Sequence, residues 1–401
     1  MKQDSHTLFR GVLLGFLAGF LALLLGMTAL FGGLSGLRFG LKYGEVLRVI
    51  RAHFVADFDP EAVADEALRG AIAGLDDRWS YYMSAEEYAD YQDYAANRYP
   101  GIGVTVVKDE ETGGFSIESV QKDAPAALAG IVPGDVILAV DGQSVTESDT
   151  SELRSLIRAD FGSEALLTVR HADGREEDIP VSCAEVYSNP VTSELLADGT
   201  GYVRIANFRD GAGKNAIDAV EALVSQGAER LVFDVRDDPG GQLTELTEIL
   251  DYLLPEGEIF YRTDKQGNEI VDYSDAACVE LPMAVLINGE SYSAAEFFAA
   301  ALREYGWAIL VGEPTTGKAR SQVTVQLADG SAVHISKYRY LTPQRVDLTE
   351  TEGLTPDVEA VLTEEEREQF VTGWLAPADD PQIQEAAKAL KTAESTAKSA
   401  A

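Results

Sequence analysis

Residues 283–304, MAVLINGESYSAAEFFAAALRE, carry the strand and helix signals on which the fold class turns. Met283 to Asn288 is a short apolar run suited to a buried strand, whereas Ser293 onward carries apolar residues at helical spacing. Asn288-Gly-Glu-Ser291-Tyr-Ser293-Ala-Ala-Glu296 is therefore a strand-to-helix turn. Working outward, GYVRIANF, RLVFDVRD and AILVG read as strands, and AIDAVEALVSQG and LTELTEILDYLLP as helices. Such alternation from about residue 186 predicts an α/β core.

The turn carries chemistry as well as topology. A serine at a helix start lies beside backbone N–H groups that stabilise an oxyanion. For an isolated turn, a plain helix N-cap is the better reading of Ser291 or Ser293. Lys318 follows the next strand in a glycine-containing turn, and a buried, uncharged lysine activates a serine hydroxyl. Asp234-Val-Arg-Asp-Asp-Pro239-Gly240-Gly241 also ends a strand and opens a helix, adding a second group of N–H donors. Together these features point to a hydrolase site.

Other chemistries fall away. Acidic residues outnumber basic ones 67 to 32, for a formal charge of −35. A nucleic-acid binder displaces counterions with basic side chains, so nucleic acid is excluded as the main partner. Cys183 and Cys278, with 94 residues between them, build neither a zinc ligand set nor a disulfide framework, and no metal or cofactor is expected. Gly312-Glu-Pro-Thr-Thr-Gly317-Lys318 nearly matches a P-loop. Ala319 removes the Mg²⁺-binding hydroxyl, however, and the strand-like SQVTVQL follows where a helix is needed. Of four histidines only His334 falls in the α/β region, and neither G-x-S-x-G nor H-E-x-x-H occurs, so a Ser-His hydrolase rests on His334 alone.

Towards the N-terminus, Gly11 to Gly33 is uncharged, and its 23 residues are long enough to span a membrane. No A-x-A site closes it, so a retained signal anchor is expected over a cleaved signal peptide. Basic residues flank both sides; the short head, residues 1–10, places the bulk of the chain outside the cytoplasm. Residues 38–98 read as helices, with Asp59-Pro60 and Ser84-Ala-Glu-Glu87 as starts. Residues 99–185 carry short β-type runs around one helix, Ser151 to Ile157. Gly101-Ile102-Gly103 opens this module and turns backbone N–H groups towards an anion such as a peptide carboxylate. Residues 376–401 hold one helix, N-capped by Asp380-Pro381, and a flexible tail.

These motifs, in this order, resemble the carboxy-terminal processing peptidases, or tail-specific proteases, over nearly the whole chain. DAPAALAGIVPGDVILAVDGQSV resembles their PDZ domain, VFDVRDDPGG their D-L-R-x-N-P-G-G signature, NGESYSAAE their N-G-G-S-A-S-A-S-E, and GKARSQ their G-K-G-x-x-Q. The resemblance implies a crotonase- and Clp-protease-like α/β spiral core over 186–375, an inserted PDZ domain over 99–185 and a helical segment over 38–98, to which the uncharged stretch 11–33 adds the expected transmembrane helix. It makes Ser293 the nucleophile, Lys318 the general base and Gln322 the residue that orients the lysine. Ala294 and one of Gly240 and Gly241 become the oxyanion donors. Gly101, Ile102 and Gly103 would hold the substrate carboxylate, and Leu153, Leu156 and Ile157 an apolar side chain. The implied protein is a single-pass cell-membrane endopeptidase, extracytoplasmic, that cleaves proteins with free apolar C-termini and is open to forming a homo-oligomer. The rival is a catalytically silent anchored PDZ scaffold. Tyr292, Ala295, Asp238 and Ala319 depart from the family pattern without removing a proton-transfer group.

Overall fold

The computed structural model describes residues 2–30, 32–109, 111–148, 150–157 and 162–400. Met1, Phe31 and Ala401, within the expected head, anchor and tail, lie outside the described residues. The chain divides into two units, residues 1–74 and 75–401.

The first unit comprises the helices Lys2–Leu30, Leu34–His53 and Pro60–Ala73. Asp59 caps the third as expected, its Oδ1 accepting from Glu61 N at 2.8 Å, with Pro60 at the first helical position. Leu14, Phe16, Phe20 and Leu23 are exposed along the first helix. Among the described residues no single helix is long and apolar enough to cross a membrane; Leu13–Ala29 and Leu34–His53 pass together as a bent pair.

The second unit is built on a six-stranded sheet in the order Val191–Leu195, Thr200–Ile205, Arg230–Asp234, Met283–Ile287, Ala308–Gly312 and Val358–Glu359. The first pair is antiparallel and the remaining pairs are parallel. Both faces are covered, which is why these strands read as continuous apolar runs. Val203, Leu231, Phe233, Val285 and Ile287 pack into one core with the helices Ala212–Ser225, Leu243–Leu253 and Ala294–Glu304. Tyr202, Val232, Ala284 and Leu286, one residue out of phase, pack on Ile383, Ala386 and Leu390 of the helix Pro381–Ala400. Arg236, fully buried, fastens that helix to the sheet through Asp234, Asp380 and Gln382.

A second sheet contains Gly257–Thr263, Glu269–Ser274, Arg320–Gln326 and Ala332–Leu341. Tyr81–Met83 adds an edge strand to it, pairing antiparallel with Ala332–His334. The periodicity of 38–98 suggested helices only; a three-residue strand is too short to show a period of two. The Ser84 capping box forms as expected, with Ser84 N donating to Glu87 Oε2 at 2.7 Å. The PDZ-like module packs its strands Val104–Lys108, Phe115–Val120, Val136–Val140, Glu164–Arg170 and Glu176–Ser182 with the helix Thr150–Ile157 around a separate core. Arg98–Gly101 and Ala184–Tyr187 pair antiparallel where the chain enters and leaves the module.

Candidate active site

Ser291 and Ser293 separate completely in space. Ser291 is fully buried: its Oγ donates to Val235 O at 2.7 Å and accepts from Asn288 N at 3.0 Å, joining two strand ends. Ser293 instead faces a cavity of about 420 Å³ that also contains Lys318, Gln322, Trp79 and His334. Its backbone sits at φ +60° and ψ −121°, a region that non-glycine residues rarely occupy. Such strain persists only where neighbours over-determine it. Here Tyr292 N donates to Asp238 O at 3.1 Å, and Ser293 N donates to Glu296 Oε2 at 3.0 Å.

Glu296 is the clamp between the two turns. Fully buried on the first turn of the helix Ala294–Glu304, it accepts from Lys318 N at 2.8 Å and Gly317 N at 2.7 Å, and from the Thr315 hydroxyl. One carboxylate thus fixes the backbone of Ser293 and that of Lys318. The glycine-containing turn that resembled a P-loop serves this purpose, and the strand Arg320–Gln326 follows it in place of a phosphate-binding helix.

Lys318 reaches into the cavity with Nζ 4.3 Å from the centre of the Trp79 ring and 5.6 Å from that of Tyr292. Burial lowers its pKa to about 8, against the opposing pull of Glu296 and with help from Arg78. Among the described residues no hydrogen bond joins Lys318 Nζ to Ser293 Oγ. Gln322 lines the same cavity, its Nε2 donating to Arg320 O at 3.0 Å and Ser336 Oγ at 3.1 Å. His334 is also present, but its Nδ1 is 2.8 Å from Thr324 Oγ1 and its ring stacks on Tyr81. Burial and then Lys318 bring its pKa down to about 4.

Gly240 and Gly241 line the cavity with Ala294. Gly240, at φ +83°, is packed so tightly that a Cβ would lie 2.8 Å from Ala294 N and 2.9 Å from Ser293 Cβ. Its N–H is already committed to Asp238 Oδ1 at 2.7 Å. Among the described residues, Gly241 N and Ala294 N have no acceptor. Asp238 is fully buried, its Oδ2 has no partner, and burial raises its pKa well above the usual carboxylate range.

Gly101, Ile102 and Gly103 border a second cavity of about 460 Å³, together with Leu153 and Ile157. Ile102 O accepts from Ala126 N at 2.9 Å and Gly103 O from Gln121 N at 2.8 Å, which holds the loop. Among the described residues the N–H groups of Ile102 and Gly103 have no acceptor. Leu156 is half-buried against the module's core and does not border the cavity. Sequence reading had missed Trp79, and had assigned no role to Glu296 or Arg209. Trp79 carries no helical or strand signal, Glu296 reads as a capping-box residue, and Arg209 as an ordinary loop cation.

A family model of peptidase family S41 matches residues 199–360, and one of the PDZ domain matches residues 116–171. The carboxy-terminal processing protease CtpA of Bacillus subtilis is 30% identical over 323 residues, covering 80% of this chain and 69% of that protein. The carboxyl-terminal-processing protease of Synechocystis sp. is 30% identical over 298 residues, covering 73% and 69%. Among solved structures, a Bacteroides fragilis protein assigned to the S41 proteases aligns with a TM-score of 0.55 over 86% of this chain and 93% of its own, at 18% identity, which is a likeness of fold.

Proposed function

The chain belongs to the carboxy-terminal processing serine peptidases of family S41, and from that premise we propose that it cuts proteins near an apolar free C-terminus with a Ser293–Lys318 dyad. The observation that carries the dyad is the shared Glu296 anchor, which brings a strained serine turn and a desolvated lysine into one cavity.

With substrate in place, Ser293 Oγ attacks the scissile carbonyl and its proton passes to neutral Lys318 Nζ. As the tetrahedral intermediate collapses, the same proton moves to the leaving amine; water then repeats the cycle on the acyl-enzyme. The lowered pKa of about 8 keeps roughly a tenth of Lys318 neutral at pH 7, against a few in ten thousand for an ordinary lysine. Gly241 N–H and Ala294 N–H are assigned as the oxyanion donors, since Gly240 N–H is held by Asp238. Gln322, anchored through its amide nitrogen, offers its oxygen to the lysinium.

The substrate's terminal carboxylate is assigned to the N–H groups of Ile102 and Gly103, and its apolar side chain to the surface of Leu153 and Ile157. Residues 11–33 are assigned as a membrane anchor with the peptidase outside the cytoplasm, a reading that rests on their length and lack of charge.

The test uses full-length protein in detergent and one apolar-tailed peptide with a free or amidated end. Cleavage lost in Ser293→Ala and Lys318→Ala and weakened by amidation is expected, with kcat/KM rising through about pH 8. Persistence of cleavage in Ser293→Ala would overturn the assignment.

A further inference from the structure

Arg209 and Tyr94 are the residues common to the cavity that holds Ser293 and the groove at Gly101–Gly103. A peptide whose end sits in the groove while an upstream bond lies at Ser293 passes this shared wall. What that wall presents is a cation with no carboxylate in ion-pair contact, although the buried Asp238 exerts an electrostatic pull on it. The Arg209 guanidinium lies over the Tyr94 ring, Cζ 3.2 Å from its centre. Among the described residues it forms no ion pair and no side-chain hydrogen bond. Arg98, which borders the groove, is by contrast paired with Glu185 at 2.7 Å.

The lack of an ion pair at Arg209 is unusual in a chain with 67 acidic and 32 basic residues. Arg209 is half-buried, so leaving its charge unpaired costs solvation that an exposed arginine keeps. Its position is held by the backbone: Arg209 N donates to Asn207 Oδ1 at 2.9 Å and Arg209 O accepts from Ala212 N at 2.9 Å. The planar donors of a stacked arginine suit a carboxylate, which they bind in a bidentate manner.

We infer that Arg209 is a specificity residue that binds a carboxylate on the leaving side of the scissile bond. The inference rests on the proteolytic reading of Ser293 above. Two sources share this chemistry: an acidic side chain in the tail, or the terminal carboxylate of a substrate too short to reach the groove.

The experiment measures kcat/KM of full-length enzyme in detergent on peptides in which Asp is exchanged for Asn at successive positions after the cleaved bond. A second arm shortens the tail and compares free with amidated ends. In the wild type, one Asp position or the short free end should be preferred about tenfold or more, mainly through KM. Arg209→Gln should bring that ratio close to one, and Arg209→Lys should restore part of it. A ratio taken within one variant does not depend on how much of it folds. The same ratio in wild type and Arg209→Gln, or no preference in wild type in either arm, would overturn the inference. Cleavage that survives in Ser293→Ala would instead strike the proteolytic reading, so the two failures are distinguishable.

Discussion

Replacing Glu296 by glutamine tests whether one buried carboxylate holds the site together. Oε2 accepts from Ser293 N and Lys318 N, and Oε1 accepts from Gly317 N and the Thr315 hydroxyl. Glutamine has a single oxygen, so its NH₂ must replace one of these acceptors. The less costly orientation points NH₂ at Thr315, whose oxygen can accept but already takes Leu354 N at 2.8 Å. Gly317 N–H is then orphaned, at about 1–3 kcal/mol, and the bonds to Ser293 N and Lys318 N drop from charge-assisted to neutral, at about 1 kcal/mol each. The sum is about 3–5 kcal/mol, or roughly 4–7 °C in Tm for a body the size of residues 75–401. Two kinetic effects accompany it. Loosening the turns lowers kcat, by about a hundredfold for a displacement near 1 Å. Loss of the negative charge also removes the influence that raises the Lys318 pKa, so the acid limb of kcat/KM moves below its expected midpoint of about 8. Thermal melts and a pH–rate profile of Glu296→Gln read both. An unchanged Tm, or an acid limb that moves to higher pH, would refute the reasoning.

Asp238→Asn should stabilise the protein at alkaline pH. The native carboxyl has a raised pKa, so its contribution to stability is complete below the unfolded value of 3.8 and is lost as pH rises through the folded value. The Tm advantage of Asp238→Asn should therefore grow between pH 5 and pH 9; parallel curves would show that Asp238 is already ionised at the lower pH. Gly240→Ala forces a Cβ to within 2.9 Å of Ser293 Cβ at a φ of +83°, and should abolish peptide cleavage. Near-wild-type turnover in that variant would mean that the nucleophile turn shifts freely. Arg236→Met removes the guanidinium shared by buried Asp234 and Asp380, leaving Asp234 with Tyr202 and Arg204, at about 3 kcal/mol, and should be visible as a lower denaturation midpoint.

The local grammar of the chain was legible without coordinates. The buried strands showed as apolar runs because both faces of the sheet are covered, and the helix starts at Asp59 and Ser84 showed because capping depends on residues a turn apart. The choice between Ser291 and Ser293 was not legible from propensity, since both are short polar residues at a helix start; burial of one and exposure of the other to a cavity decides it. The motif resemblance selected Ser293 and Lys318, yet it said nothing of what makes the lysine's pKa fall. That is burial of the amine in a cavity assembled from distant segments, Trp79 among its walls from 239 positions away in sequence.

Composition and spacings of a few residues thus set most of the elements and their order, whereas the side chains proposed for proton transfer came from the motif resemblance. Tertiary structure decided three things that depend on contacts across the chain. Glu296 binds two turns at once, Gly240 gives its N–H to Asp238 and leaves Gly241 N–H without an acceptor among the described residues, and Arg209, with no ion pair among them, borders two cavities. Each is a question of which donor, acceptor or charge remains unmatched, and that is settled only when distant segments are brought together.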